Sequence, residues 1–363
     1  MKLCTVVGAR PQFIKAAAVS RIIALTPHIQ ESIIHTGQHY DANMSNHFFD
    51  ELDIPSPAYH LNIGSGLHGV QTGQMLIEIE RVLLQEKPDW VLVYGDTNST
   101  LAGTLAAAKL HIPVAHVEAG LRSFNRKMPE EINRITADHL STLLFAPTQN
   151  GYRQLIKEGI HTDQIINVGD VMFDATLYYN EYNATRKTIV DTLQLNKNTY
   201  CLATVHRAEN TDCKHRLEHI TDALIELSAS RLIIFPVHPR TRAALIKFEL
   251  LSKLEAHIKL VEPVGFLDML ALEQQACCII TDSGGVQKEA YFNRVPCVTL
   301  RDETEWVELV DAGWNQLCSP EQPFSFSNFV LDAHQLTALQ HDAFYGEGNA
   351  SEKIVSALLE ANF

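Results

Sequence analysis

The chain has 363 residues, 46% of them hydrophobic and 20% charged, which is the composition of a globular protein long enough for two domains. No apolar run approaches the roughly 20 residues of a membrane span, and the opening MKLCTVVGARPQ lacks the long apolar core of a signal peptide, so we expect a cytoplasmic protein. The net charge of −14 argues against nucleic acid or an anionic membrane as the main partner.

Short apolar runs alternate with amphipathic stretches along the whole chain. Most of the apolar runs are continuous in Val, Ile and Leu, which is typical of parallel strands covered on both faces. The predicted strands are Leu3–Val7, Ser32–His35, Trp90–Tyr94, Val114–Val117, Leu143–Ala146 and Ile165–Val168, followed by Tyr200–Thr204, Leu232–Val237, Ile258–Val261, Cys278–Thr281 and Cys297–Leu300. The predicted helices between and after them include 100–109, 130–141, 216–228, 263–275 and 351–359. This order predicts right-handed βαβ crossovers in doubly wound sheets.

A polar, tyrosine-rich segment at 174–198 separates the two series of strands and is the natural place for an interdomain hinge. The predicted fold is therefore α/β, with two Rossmann-like doubly wound domains facing a cleft. We assign residues 1–172 to the first domain and 173–350 to the second, and we add the C-terminal helix, 351–363, to the first. Ligands bind at the carboxyl ends of the strands in such sheets.

The cysteines and the histidine pairs do not predict a metal site. Seven cysteines are scattered without a C-x-x-C pair, so we expect free thiols that pack as small apolar side chains. The pairs His35/His39 and His215/His219 have a spacing that zinc sites use, but neither has a cysteine pair or an H-E-x-x-H helix beside it. We interpret both pairs as incidental and expect no metal.

A phosphate-binding turn is predicted in the second half of the chain, at TDSGG, residues 281–285. The turn follows a predicted strand and precedes a predicted helix, where free N–H groups and the helix dipole favour an anion. Ser283, Gly284 and Gly285 are candidate phosphate ligands, and Glu289, one turn into the helix, is placed to accept hydrogen bonds from ribose hydroxyls. The alternative is a plain strand-to-helix turn with an Asp or Ser cap.

A similar strand, turn and helix occurs at the N-terminus, in GARPQFIK at residues 8–15. Pro11 suits the first turn of a helix, which would place Lys15 about one turn later on the same side. Arg10 and Lys15 are therefore candidates for binding a diphosphate, unless both are solvated surface cations. The turn is neither a Walker A loop nor a G-x-G-x-x-G fingerprint, so neither ATP nor NAD is implied.

Three carboxylates occupy positions where catalytic groups tend to lie. Asp96 and Glu118 each follow a buried predicted strand, and Glu130 opens a predicted helix. A cluster of like charges raises at least one pKa and supplies both an acid and a base. In the alternative interpretation Asp96 is a helix N-cap and Glu130 is a first-turn residue favoured by the helix dipole.

Histidines follow two strands of the second series. His206, flanked by Arg207, follows the first of these strands, and His238 follows the next. A histidine can protonate or hydrogen-bond a departing phosphate near neutral pH. The alternative is a structural role at a strand end, and His206 is the stronger of the two candidates.

Together these motifs resemble the UDP-N-acetylglucosamine 2-epimerase family, from residue 1 to beyond residue 310. In chain order the matching motifs are GARPQFIK (8–15), HTGQH (35–39), GDT (95–97), HVEAGLR (116–122), PEE (129–131), HR (206–207) and TDSGGVQ (281–287). The resemblance implies a fold like that of GT-B glycosyltransferases, UDP in the interdomain cleft, a homodimer, and a product used in surface polysaccharides such as O-antigen or capsule. The finer similarity is to the branch that acts on UDP-2,3-diacetamido-2,3-dideoxy-glucuronate, through GARPQF (8–13), YDANMS (40–45) and DETEWVE (302–308).

The resemblance also implies a non-hydrolysing 2-epimerase, with elimination of UDP to a 2-acetamidoglycal and re-addition of UDP, and with no metal or redox cofactor. It implies that Arg10, Lys15 and His206 stabilise the departing UDP and that Asp96, Glu118 and Glu130 handle protons. The implied UDP ligands are Arg207, His238, Phe266 at the uracil, Ser283, Gly284, Gly285 and Glu289. A hydrolysing epimerase, a GT-B glycosyltransferase and a non-catalytic nucleotide-sugar sensor are the alternatives, the last disfavoured by the joint presence of His206 and the carboxylates.

Overall fold

The computed structural model describes residues 1–38, 52, 54–329 and 343–361. Two compact units make up the chain, Met1–Ala175 with Ala343–Phe363 (unit 1) and Thr176–Asp342 (unit 2). The boundaries predicted from the sequence are at 172/173 and 350/351. His39 and the YDANMS segment, 40–45, lie outside the described residues.

Unit 1 contains a parallel sheet of seven strands with helices between them. Its strands are β1 (Lys2–Val7), β2 (Gln30–His35), β3 (Tyr59–His60), β4 (Trp90–Tyr94), β5 (Val114–Val117), β6 (Leu143–Ala146) and β7 (Ile165–Asn167). Its helices are α1 (Arg10–Leu25), α2 (His68–Glu86), α3 (Asn98–Lys109), α4 (Pro129–Leu140), α5 (Gln149–Lys157), the first part of α6 (Val171–Asn183) and, near the C-terminus, α15 (Ala350–Glu360), with a 3₁₀ turn at Thr162–Gln164. The strand order is β3-β2-β1-β4-β5-β6-β7, which is the order of a doubly wound sheet.

Unit 2 contains a second parallel sheet, of six strands. Its strands are β8 (Tyr200–Thr204), β9 (Leu232–Pro236), β10 (Lys259–Val261), β11 (Cys278–Thr281), β12 (Cys297–Thr299) and β13 (Asn315–Leu317), in the order β10-β9-β8-β11-β12-β13. Its helices, after the end of α6, are α7 (Ile189–Thr192), α8 (Ala208–Thr211), α9 (Lys214–Ser228), α10 (Pro239–Lys247), α11 (Leu251–Glu255), α12 (Phe266–Gln275), α13 (Gly284–Phe292) and α14 (Val307–Asp311), with a 3₁₀ turn at Phe326–Asn328.

Both faces of the second sheet are buried, which explains why its strands are apolar throughout. Cys201 and Ala203 of β8 belong to one hydrophobic cluster, whereas Tyr200 and Leu202 belong to another. Because successive side chains of a strand point to opposite faces, the two clusters lie on opposite sides of the sheet. The prediction of an α/β fold with doubly wound parallel sheets is confirmed in each unit.

The predicted order of strands needs one correction. The edge strands β3 and β13 are absent from the prediction, because both are short and carry no apolar run. The segment 174–198 contains most of α6 and all of α7, and Tyr179 is buried there with its ring edge-on to Phe266, at 5.6 Å between centroids.

The C-terminal helix α15 packs against α1 in unit 1. Its start is held by Asp174, whose carboxylate accepts hydrogen bonds from the backbone N–H groups of Ala350 and Ser351 at 3.1 and 2.7 Å. Such a contact satisfies N–H groups that have no acceptor inside the helix.

All seven cysteines are free thiols, and six of them are buried. Among the described residues no helix is both long and apolar enough to cross a membrane.

Candidate active site

The turn after β1 is built around a glycine and a glutamine. A Cβ on Gly8 would overlap with the hydroxyl oxygens of Thr36 and Ser99, so only glycine fits. The side-chain oxygen of Gln12 accepts hydrogen bonds from the N–H groups of Gly8 and Ala9 at 2.8 and 3.1 Å. Its amide nitrogen donates to the carbonyl of Tyr94 at 2.8 Å, which ties this turn to the end of β4.

Glu118 lies directly after β5, beside the end of β4. Tyr94 pairs with Val117 in the sheet, so the residues that follow the two strands are neighbours. Glu118 has a φ of 72°, a left-handed conformation that costs a non-glycine residue free energy and that concentrates at functional sites. Its backbone N–H donates to the carbonyl of Phe145 at 3.1 Å, which helps to hold this conformation.

The carboxylate of Glu118 forms an ion pair with the ammonium group of Lys15, and both side chains are largely buried. The sequence predicts that Lys15 joins Arg10 as a diphosphate ligand. In the structure the Lys15 ammonium lies at a carboxylate at the strand ends. Arg10 lies at the start of α1 and is exposed.

Asp96 is also paired with a cation. The guanidinium of Arg134 on α4 donates to Asp96 Oδ2 through both Nη2 and Nε, the latter at 3.1 Å. Two of the three carboxylates expected to cluster are therefore neutralised in ion pairs, Glu118 with Lys15 and Asp96 with Arg134. The long side chains of Lys15 and Arg134 reach these carboxylates from helices that are distant in sequence. The sequence pattern gives no signal for such pairing.

The two glutamates that open α4 have different environments. Glu130 is exposed, whereas Glu131 is buried and accepts hydrogen bonds from the backbone N–H groups of Ser123 and Phe124, each at 2.9 Å. Burial raises the pKa of Glu131, but these hydrogen bonds and nearby Arg134 outweigh it and hold the pKa below its ordinary value. Glu131 therefore fixes the loop before α4, and Glu130 is the glutamate open to a ligand.

Beneath these carboxylates lies a buried polar network. His116 Nδ1 lies 2.7 Å from Asp138, and its Nε2 lies 2.7 Å from the carbonyl of Gly95. Both ring nitrogens of His116 therefore face a hydrogen-bond acceptor. Asp138 also pairs with Arg122 at 2.7 Å and accepts from the N–H of Gly120 at 3.1 Å. This network connects the ends of β4 and β5 to α4 and so positions the residues that follow them.

In unit 2, the predicted phosphate turn forms the start of α13. Ser283 is the N-cap and accepts a hydrogen bond from the N–H of Val286. The N–H groups of Gly284 and Gly285 have no acceptor inside the helix, as at any helix start. These donors and the helix dipole make the turn suited to an anion.

A carboxylate, Glu305, lies against this helix start. A Cβ on Gly284 would overlap with Glu305 Oε1, and Glu305 pairs with Arg301 at 2.7 Å and Arg207 at 4.0 Å. Burial raises the pKa of Glu305, but the two arginines outweigh burial and hold it below its ordinary value. The segment 302–308 supports the resemblance to the family, but no pattern in it identifies Glu305 as part of the site.

The loop after β8 is organised by Asp282, which has no exposed surface. Its carboxylate accepts hydrogen bonds from the backbone N–H groups of His206 and Arg207 and from the side-chain amide of Asn210, at 3.0 to 3.1 Å. His206 Nδ1 lies 3.5 Å from Asp282 Oδ1, so the carboxylate also orients the imidazole. The ring of His206 remains 42% exposed and can reach a ligand.

His238 lies next to His206, with 5.8 Å between ring centroids. Burial, the nearby His206 and Arg240 hold the pKa of His238 below its ordinary value. Its Nδ1 accepts the N–H of Arg240 at 3.2 Å and caps α10, so a structural role accounts for its position. Phe266, predicted to border the uracil, is 8% exposed and packs on Tyr179.

Each unit thus carries a different chemistry. Unit 1 gathers Asp96 and Glu118 at adjacent strand ends, with Glu130 at a helix start, and these groups can transfer protons. Unit 2 offers an anion-binding helix start next to His206 and Arg207. Across the described residues no group of three or more His, Cys, Asp or Glu side chains is arranged to hold a metal ion.

Comparison with known proteins identifies the same family that the sequence motifs resemble. The sequence pattern of the family described as UDP-N-acetylglucosamine 2-epimerase matches residues 21–359. The chain is 56% identical to a UDP-N-acetylglucosamine 2-epimerase homolog of Methanococcus maripaludis and 49% identical to the UDP-2,3-diacetamido-2,3-dideoxy-D-glucuronate 2-epimerase of Pseudomonas aeruginosa, with 99% of each chain covered in both cases.

A solved structure is similar along the whole chain. The crystal structure of Methanocaldococcus jannaschii UDP-GlcNAc 2-epimerase in complex with UDP-GlcNAc and UDP superposes with a TM-score of 0.85 and 46% sequence identity, covering 99% of this chain and 100% of that one. The GT-B-like fold class predicted from the sequence is therefore confirmed. The chain belongs to the UDP-N-acetylglucosamine 2-epimerase family and is an isomerase.

Proposed function

We propose that this enzyme inverts C2 of a UDP-linked 2-acetamido sugar by eliminating UDP and adding it back, without net hydrolysis. The hydrogen on C2 is not acidic, because no carbonyl is conjugated to that carbon. Loss of UDP from C1 solves this problem, because the C2–H bond then breaks as a C1–C2 double bond forms. The observation that carries the proposal is Glu118, held at a φ of 72°, paired with Lys15, and following the strand next to the one that precedes Asp96.

In the first half of the reaction the C1–O bond breaks, and its electron pair leaves with UDP. The helix start at Gly284 and Gly285 binds the phosphates through its N–H groups, and Ser283 adds a hydroxyl donor. His206, oriented by Asp282, donates a hydrogen bond or a proton to the departing phosphate. Arg10 and Arg207 supply positive charge to the diphosphate.

The C2 proton moves to a carboxylate of unit 1, and the product is a 2-acetamidoglycal. Return of a proton to the opposite face of C2, with addition of UDP to C1, completes the inversion. Asp96, Glu118 and Glu130 are the candidates for the two proton-transfer roles. Lys15 pairs with Glu118 and Arg134 pairs with Asp96, so a cation holds each of these two carboxylates in place.

The preferred sugar in this proposal is the 2,3-diacetamido-2,3-dideoxy-glucuronate. Its support is the 49% identity to the P. aeruginosa enzyme and the similarity of the segments 8–13 and 302–308 to that branch. UDP-N-acetylglucosamine is the second candidate, favoured by the 46% identity to the M. jannaschii structure that contains it.

The test is incubation with each UDP-sugar in D₂O, followed by NMR. The proposal predicts deuterium at C2 and a mixture of intact UDP-linked gluco and manno epimers, formed faster from the uronate. Asp96→Asn, Glu118→Gln and Glu130→Gln should each slow exchange by about 100-fold or more, whereas Glu78→Gln, on the exposed face of α2, should not. Free sugar with UDP would indicate the hydrolysing alternative, and retention of hydrogen at C2 with both sugars would refute the proposal.

The enzyme acts as a homodimer in this proposal. Val70, Ile77 and Leu84 recur every seven residues on α2 and are 55%, 65% and 58% exposed, so they form an apolar stripe on one helix. Heptad spacing of this kind is typical of a helix that packs against another helix. We expect a dimer by sedimentation equilibrium and a monomer for Ile77→Glu, and a monomeric wild type would contradict this assignment.

A further inference from the structure

Arg216, on α9, is a buried cation that has no part in the proposed reaction. Its side chain is 8% exposed, and its Nη1 group donates to two carboxylates that are more than half exposed, Asp302 at 3.1 Å and Glu321 at 2.9 Å. These two carboxylates offset the cost of burying the guanidinium charge. The Nε group of the same guanidinium donates to a different residue, which lies in the interior of unit 2.

That residue is Asn210, on α8, which is 1% exposed and accepts from Arg216 Nε at 3.1 Å. Because the Nε group of an arginine can only donate, the amide of Asn210 must turn its oxygen toward Arg216. The NH₂ group of the amide then faces the other side, where it donates to Asp282 Oδ2 and to the carbonyl of Leu300, each at 3.0 Å. Arg216 therefore fixes the orientation of this amide.

The orientation of the amide matters because Asp282 holds the loop of His206. The carboxylate of Asp282 receives the backbone N–H groups of His206 and Arg207, and its Oδ1 lies 3.5 Å from His206 Nδ1. If the amide of Asn210 flipped, its oxygen would face the carboxylate of Asp282. Two acceptors would then meet in a buried site, and the carboxylate would lose a donor.

We propose that Arg216 is a positioning residue for His206, and that it acts through the amide of Asn210 and the carboxylate of Asp282. This inference rests on the proposed function, in which His206 stabilises the departing UDP. Asp302, the first residue of the segment 302–308, pairs with Arg216, so the loop after β12 is tied to the same arrangement. Arg216 thereby connects that loop to the imidazole through hydrogen-bonded side chains.

A double-mutant cycle on kcat separates positioning from a general effect on the fold. Arg216→Met removes the donor to Asn210 and should lower kcat about tenfold at saturating UDP-sugar. In a His206→Asn protein the imidazole is already missing, so there Arg216→Met should lower kcat by less than about twofold. The matched control is Arg242→Met, which removes an ion pair with the exposed Glu262 on the same unit and should leave kcat unchanged.

Asn210→Asp repeats the test with the contact to Arg216 kept, because an aspartate offers Arg216 an oxygen but replaces the donor to Asp282 with a second oxygen. It should lower kcat in the same way, and it decides the question if Arg216→Met does not fold. Equal fold losses with and without His206, or a wild-type kcat in the folded variant, would overturn the inference. If the wild type does not exchange the C2 hydrogen, or if His206→Asn alone keeps the wild-type kcat, the proposed function fails and this inference fails with it.

Discussion

Asp282 allows a direct test of how the loop with His206 is positioned. Asp282→Asn keeps the shape of the side chain but replaces one acceptor oxygen with an amide group. In the wild type Oδ2 receives the N–H groups of His206 and Arg207 and the amide of Asn210, while Oδ1 also receives the N–H of His206 and lies 3.5 Å from its Nδ1. If the remaining oxygen takes the Oδ2 position, it keeps all three donors, but the amide group replaces Oδ1 beside the backbone N–H and the ring of His206.

The cost follows from this geometry. Hydrogen bonds to a charged group contribute about 1.5–3 kcal/mol, more than those to a neutral group, and Asp282 has no exposed surface, so we expect Asp282→Asn to lower the free energy of unfolding by about 1–3 kcal/mol. Loss of the oriented imidazole should lower kcat by about 10- to 100-fold at saturating UDP-sugar.

Urea unfolding and steady-state kinetics measure the two effects. The matched control is Asp222→Asn, because Asp222 is 59% exposed on α9 and pairs only at the surface with Lys253. The control should change stability by less than about 0.5 kcal/mol and leave kcat unchanged. If Asp282→Asn kept both the kcat and the stability of the wild type, the role given to this carboxylate would be refuted.

Three further predictions concern unit 1. Gly8→Ala should destabilise the protein by about 1–3 kcal/mol in urea and lower activity, because a Cβ overlaps with two side-chain hydroxyls. Burial and nearby His60 lower the pKa of His35 to about 4, so the unfolded state binds more protons below pH 6.5 and stability falls by up to about 3 kcal/mol as the pH drops from about 6.5 to about 4. Urea unfolding at several pH values should show that His35→Leu does not lose this stability as the pH falls. If the stability of His35→Leu fell with pH as much as that of the wild type, this prediction would be contradicted. Lys15→Met should lower kcat about tenfold or more, because it removes the cation paired with Glu118, and Lys15→Arg should recover part of the rate.

The sequence predicts the sheets well because their interior strands are buried on both faces. Trp90–Tyr94 and Tyr200–Thr204 are observed with the predicted bounds, since a continuous apolar run has few other uses in a soluble domain. The edge strand Tyr59–His60 has no such run and forms because β2 offers it a partner, which is information that a local pattern does not contain.

The candidate site is predicted in part for a similar reason. Parallel strands end at the same edge of a sheet, so the positions of Asp96 and Glu118 after two successive strands are enough to predict that they are neighbours. Their cations are not predictable, because Lys15 is 103 residues from Glu118 and contacts between distant residues leave no periodic signal. The sequence allows either Asp282 or Ser283 as the helix cap, but Ser283 takes that position and leaves Asp282 to organise the loop of His206.

The central claim is that the bond between C1 and the UDP oxygen breaks during epimerisation. A substrate with ¹⁸O in the bridge between C1 and the β-phosphorus tests this claim, because a released UDP can add back through any oxygen of its β-phosphate. The account predicts that ¹⁸O appears in non-bridging positions while C2 inverts, as measured by ³¹P NMR. Inversion at C2 with all of the ¹⁸O still in the bridge would contradict it.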